Sequence, residues 1–199
     1  MIILKIIGLC GGSGSGKGIV SALFSEYDFA SIDTDAVYHS LTSSMTPCLS
    51  ELVDFFGDSI APEGYLDRKS LAKIVYSDNE KLATLNRIAH KHILIRTKEL
   101  IEEYRTLGKP AVLIDAPLLF ESDFNSICDI IICVVSDLNS RVERIVSRDG
   151  ISEEDALLRI SKQINDEWLI EHSDYVIVNN GTVEELHERV GEIAELILK

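Results

Sequence analysis

The 199-residue chain is 46% hydrophobic, enough to bury the core of one ordinary domain with modest insertions. Its formal net charge of −14 argues against general nucleic-acid binding, because a phosphate backbone would be repelled. Small polyanions are not excluded, since clustered basic residues reverse the field locally.

The first apolar run, Ile2–Leu9, is broken only by Lys5 and Gly8 and reads as a core strand. It is too short for a membrane span or a targeting segment, so a soluble cytoplasmic protein is expected. Gly11-Gly12-Ser13-Gly14-Ser15-Gly16-Lys17 follows at once, and Ile19-Val20-Ser21-Ala22-Leu23-Phe24 continues as a helix with an apolar face. Gly-Ser strings are often linkers, but a linker needs no strand before it and no helix after it. Strand, glycine loop and helix together form a phosphate cradle: glycines let backbone N–H groups turn toward an anion, and Lys17 adds a charge for the β- and γ-phosphates. Against G-x-x-x-x-G-K-[ST], only the last position departs, where Gly18 replaces a magnesium-binding hydroxyl.

The next strand, Phe29–Ile32, leads into Asp33-Thr34-Asp35. Both carboxylates emerge at a strand's carboxyl edge, where ligands of open parallel sheets bind. Two residues apart in an extended segment, they are expected on one face. Asp33 is read as the group that orients an acceptor hydroxyl and takes its proton, and Asp35 as partly structural, a cap for the following helix. Residues 36–105 read as a mostly helical insertion interrupted at Ala61-Pro62-Glu63-Gly64-Tyr65, with Asp67 capping a further helix. Arg87, His90, Lys91 and His92 form a basic patch within it. Single histidines are usually structural, yet an anionic second substrate would dock at such a patch.

Ala111–Ile114 reads as the third strand and ends on Asp115, an aspartate placed to serve magnesium directly or through water. Pro117-Leu118-Leu119-Phe120-Glu121 follows. Ile130–Val135 is apolar throughout, as a central parallel strand covered on both faces should be, and Tyr175–Val178 is the fifth strand. Between them, residues 137–172 read as two helices joined at Asp149-Gly150-Ile151-Ser152. This stretch carries Arg141, Arg144, Arg148, Arg159 and Lys162 on an otherwise acidic chain. Arg141, Arg144 and Arg148 fall on one helical face. They read either as a solvated helix paired with acids or as a lid whose guanidinium groups neutralise a migrating phosphoryl group. The turn Asn179-Asn180-Gly181 precedes a last helix with a capping box, Thr182 and Glu185. The four cysteines lack C-x-x-C spacing; Cys10 and Cys133 are expected as buried strand residues.

Taken in order, these motifs resemble the dephospho-CoA kinase family over nearly the whole chain. They are the Gly11–Lys17 loop, Asp33-Thr34-Asp35-Ala36, Leu66-Asp67-Arg68, His90, the full run Asp115–Glu121, Arg144 with Arg148 and Asp149, Arg159-Ile160 with Gln163, and Asn179 with Gly181. The resemblance implies an α/β fold of the P-loop NTPase type: three layers around a five-stranded parallel sheet, with a helical insertion and a helical lid. The nucleotide-binding core would comprise residues 1–35, 106–136 and 173–199, the acceptor domain 36–105, and the lid 137–172.

It also implies ATP-dependent phosphorylation of the ribose 3′-hydroxyl of dephospho-CoA, with magnesium, giving CoA and ADP. Gly12, Ser13, Gly14, Ser15, Gly16, Lys17, Gly18 and Ile19 would hold the ATP phosphates, with Asn180 near adenine. Asp33, Lys17, Arg144 and Arg148 would be catalytic, and Asp33 and Asp115 would serve the metal. Asp35, Arg68, Arg87, His90, Asp115 and Leu118 would bind the acceptor. Three positions depart from the family pattern: Gly18 for a hydroxyl residue, Lys91 for a proline and His39 for an arginine. Two other readings remain, another small-molecule kinase acting on nucleosides or nucleoside monophosphates, and a nucleotide-binding module without catalysis.

Overall fold

A computed structural model describes residues 3–199. Ile2, which the first apolar run includes, lies outside the described residues. Five strands form one parallel sheet with helices on both sides, in the order β2-β3-β1-β4-β5. They are β1 (Lys5–Cys10), β2 (Ala30–Asp33), β3 (Ala111–Asp115), β4 (Ile130–Val135) and β5 (Tyr175–Val178). β1 is central, with Leu9 opposite Asp115 of β3 and Cys10 opposite Cys133 of β4. Both cysteines are buried among strand residues, as expected.

The chain divides into two compact units, one formed by the chain through Ile32 with Glu103–Lys199, the other by Asp33–Glu102. In the first, α1 (Lys17–Phe24) and α9 (Val183–Leu198) pack together against one face of the sheet. Val20, Phe24, Leu186, Val190 and Ile193 close over Ile7, Leu9, Leu113 and Ile132. Phe24 stacks on Phe29 at 5.4 Å between ring centroids. The capping box is present: Thr182 Oγ1 accepts from the Glu185 amide, and Glu185 accepts from the Thr182 amide.

Residues 137–172 belong to this same unit. They form three helices instead of the expected two: α6 (Leu138–Asp149), α7 (Glu153–Ser161) and α8 (Asp166–Glu171). The second break arises because Asn165 turns its side chain onto the Trp168 amide and caps a new helix. The second unit is helical: α2 (Thr34–Thr42), α3 (Pro47–Phe56), α4 (Arg68–Val75) and most of α5 (Asn79–Thr106), around Leu49, Leu52, Ile60, Leu71 and Ile88. Asp67 caps α4 as its sequence position suggests, accepting from the Lys69 and Ser70 amides. Among the described residues, no helix is long and apolar enough to cross a membrane.

Thr182→Ala removes one half of the capping box. It should lower unfolding stability by about 1 kcal/mol, read as a reduced urea midpoint at unchanged slope.

Candidate functional site

β1 ends at Cys10, and the chain turns through Gly11 (φ 141°), Gly14 (φ 77°) and Gly16 (φ 100°) before α1 begins. Only glycine takes these left-handed conformations without strain. Three consecutive carbonyls in the turn are held by side chains that approach from α6 and from the residue after β5. Ser13 O accepts from Arg141 Nε at 2.9 Å, Gly14 O from Arg144 Nη1 at 3.0 Å, and Ser15 O from Asn179 Nδ2 at 2.8 Å. In a trans peptide the next residue's N–H points opposite the carbonyl. The Gly14 and Gly16 amides therefore face away from those side chains, while the Ser15 amide bonds back to Gly12 O.

Glycine at these positions also meets a space requirement. A Cβ on Gly12 would lie 2.0 Å from Arg141 Nη2, one on Gly14 2.5 Å from the Arg141 carbonyl, and one on Gly16 2.1 Å from Asn179 Nδ2.

Gly16 precedes α1 as its cap residue without a side-chain cap, and the first turn carries no acid. The positive end of the helix dipole is thus left for an anion from outside the helix. Ser15 Oγ is 1% exposed and has no hydrogen-bond partner among the described residues. A buried orphan hydroxyl inside a glycine loop fits a polar ligand. Lys17 Nζ donates to Gly11 O at 2.6 Å. Burial pushes its ammonium below the usual lysine value, and the Asp115 carboxylate pulls it back up. The uncapped start of α1 and the Lys17 ammonium are thus the positive features of this loop, with Asp115 the acid that steadies the lysine's charge.

Asp33 is the last residue of β2 and the N-cap of α2; its Oδ1 accepts from the Asp35 and Ala36 amides at 2.9 and 3.1 Å. Two expectations change here. The cap is Asp33 and not Asp35, and Thr34 already begins the helix, so the strand pleat does not set a common face for the two carboxylates.

The three arginines of α6 separate by environment. Arg141 is 5% exposed and ion-paired with Asp166. Arg144 is half-buried, and its Nη1 and Nη2 donate to loop carbonyls, Ser136 Oγ and Asn179 O. Arg148 is exposed and forks onto its neighbour Asp149, which also pairs with Arg159. Those two guanidinium groups hold the Asp149 carboxyl well below the usual carboxylate range. Asp149 and Asp166 are therefore acids that pair with the basic cluster.

Asn180 turns Oδ1 onto the Ser136 hydroxyl and the Asp137 amide. Gly18 and Ile19 lie exposed in the first turn of α1. Leu118 and Glu121 are exposed and line a cavity of about 80 Å³ together with Gly11, Gly12, Lys162 and Gln163. In the helical unit, Arg68 Nη2 meets His39 Nδ1 at 3.0 Å beside a surface depression at Tyr65 and Asp67. Arg87 is exposed and His90 half-buried on α5, where Lys91 and His92 both pair with Glu51. Sequence reasoning passed over Asp166 and the part Gln163 plays. Asn165-Asp166-Glu167, a cap residue followed by two acids, is the signal that marks α8.

A family model described as dephospho-CoA kinase matches residues 5–185. A dephospho-CoA kinase of Carboxydothermus hydrogenoformans is 37% identical over 191 residues, covering 96% of this chain and 93% of that relative. The crystal structure of a Thermus thermophilus protein superposes with a TM-score of 0.80 at 30% identity, over 97% of both chains. The fold also matches a dephospho-CoA kinase of Campylobacter jejuni, with a TM-score of 0.72 at 22% identity over 98% of each chain.

Gly16→Ala places a methyl group against Asn179 in a left-handed conformation. ATP affinity measured by calorimetric titration should fall about tenfold or more, with the far-ultraviolet circular dichroism of the wild type retained.

Proposed function

Because the chain belongs to the dephospho-CoA kinase family, we infer that it transfers the γ-phosphoryl group of ATP to the ribose 3′-hydroxyl of dephospho-CoA. The products are CoA and ADP, which makes this the last step of cytoplasmic coenzyme A synthesis. The observation that carries the reading lies within the first unit. Gly11 and Gly12 of the loop share a cavity with Pro117–Glu121, the run that simple nucleotide kinases would not explain.

In this reading Gly12–Gly18 and Ile19 hold the ATP phosphates on backbone amides, and Lys17 follows the β- and γ-oxygens. Asn180 borders adenine. Asp33 orients the acceptor hydroxyl and takes its proton, while its cap bonds to α2 fix where the carboxylate stands. Asp35, Arg68, Arg87, His90, Asp115 and Leu118 contact the acceptor. Arg144 acts on the loop from behind, and Arg148, on the surface, adds charge at the transferring group once it leaves Asp149.

Magnesium, when bound with the nucleotide, supplies neutralisation of the phosphate oxygens. Asp33 and Asp115 would be its hard oxygen ligands, and water would fit beside Gly18, where an added Cβ would meet nothing within 4 Å among the described residues.

Gly18 is also the one observation that favours a binding module without turnover. An ADP-release assay separates these readings. Release that depends on dephospho-CoA supports the kinase; transfer to nucleoside monophosphates alone, or ATP binding without turnover, rejects it. Asp33→Asn should cut kcat by about 100-fold or more while ATP still binds. Gly18→Ser should lower the magnesium concentration needed for half-maximal rate, and an unchanged requirement would remove Gly18 from the metal argument.

A further inference from the structure

Arg141 is the one arginine of α6 that sits almost wholly out of solvent, and its guanidinium works in three directions. Nε donates to Ser13 O at 2.9 Å, Nη1 to both carboxylate oxygens of Asp166 at 3.0 and 3.1 Å, and Nη2 to Gln163 Oε1 at 3.3 Å. The same Gln163 Oε1 accepts from the Ser13 amide at 2.9 Å, and Gln163 Nε2 meets Ser13 Oγ at 3.2 Å. All three polar groups of Ser13 are thereby fixed by this pair of side chains.

We propose that Arg141, held by Asp166 and Gln163, is a positioning residue that sets the Ser13–Gly14 peptide, and so the aim of the loop amides, for ATP. The inference rests on the reading of Gly11–Lys17 as the ATP cradle.

Three features support it. First, burying a guanidinium is costly unless its donors are matched, and here the loop carbonyl of Ser13 matches Nε while Asp166 and Gln163, which itself holds Ser13, match the rest. Second, a Cβ on Gly12 would meet the Arg141 guanidinium and one on Gly14 the Arg141 main chain, so both glycines pack directly against this residue. The glycines and the arginine form one fitted set. Third, Asp166 cancels the charge of Arg141, so the assembly contributes direction and not net attraction for phosphate. That separates it from an arginine that reaches toward the nucleotide, and a lysine, with a point charge and no planar fork, cannot reproduce it. Asp166 opens α8, whose Trp168 meets Phe120 edge-on at 4.9 Å and stacks on His172 at 3.7 Å. The brace thus ties the loop to the Asp115–Glu121 run through one short helix.

The test uses the full chain with ATP titrated by calorimetry and with steady-state kinetics in both substrates. Arg141→Lys should raise the ATP Kd and KM about tenfold, the loss expected when buried acceptors lose a matched donor. KM for dephospho-CoA should stay within about twofold, because uniform loosening of the protein would move both constants. The loss should persist at high salt, as a buried and self-neutralised pair is little screened. Asp166→Asn should weaken ATP in the same direction, and the double variant should be no worse than Arg141→Lys alone. If Arg141→Lys fails to fold, Gln163→Ala, which strips the acceptor from the Ser13 amide, carries the same comparison.

Variants that bind ATP like the wild type overturn the brace, as does parallel weakening of both substrates. A wild type that binds no ATP overturns the cradle and the brace together.

Discussion

The site rests on the orientation of three peptide planes. Ser13, Gly14 and Ser15 all turn their carbonyls toward side-chain donors, two of them guanidinium groups, so the amides that follow Ser13 and Ser15 face the other way. A glycine-rich segment pays a large entropic cost to hold any single shape. Here the cost is offset from outside the loop, by α6 and by Asn179, and not by contacts within it. Those outside contacts fix the direction of each peptide plane in the turn.

Charge placement follows the same logic. On a chain of net charge −14, positive potential must be concentrated to be useful. Much of the basic cluster is cancelled: Arg141 by Asp166, and Arg148 and Arg159 by Asp149. The described hydrogen bonds of Arg144 go to neutral acceptors, so its charge remains available behind the loop. Lys17 sits within the turn, with its ammonium lowered by burial and steadied by Asp115. The uncapped, acid-free first turn of α1 points the same way. The positive charge left uncancelled in this unit is thus confined to a few groups around the loop.

The strands, the loop and the helix caps at Asp67 and Thr182 were legible because each is written in adjacent residues: an apolar run, a glycine spacing, a cap and its partner three positions on. The two aspartates at the end of β2 were misassigned because capping is decided by where the helix begins: α2 starts at Thr34, so the cap is Asp33 and not Asp35. The missing helix, α8, is six residues long, too short for periodicity to register. The arginines of α6 share a face on paper, but a helix face is not one environment. Position 141 turns under the loop, while 148 lies two turns on at the exposed end. The acids that pair with them are 1 and 25 residues distant in sequence, and only the fold brings Asp166 to Arg141.

The glycines of the loop divide into two kinds. Gly12, Gly14 and Gly16 are required by close approach: a side chain there would collide with Arg141 or Asn179. Gly18 is helical, has an ordinary backbone and faces open space, so no packing demand excludes serine or threonine. The departure at position 18 is therefore one of chemistry and not of fit. It removes a hydroxyl from the first turn of α1 and leaves the close-packed part of the loop as it is. Close packing fixes Gly12, Gly14 and Gly16, and leaves position 18 open to other residues.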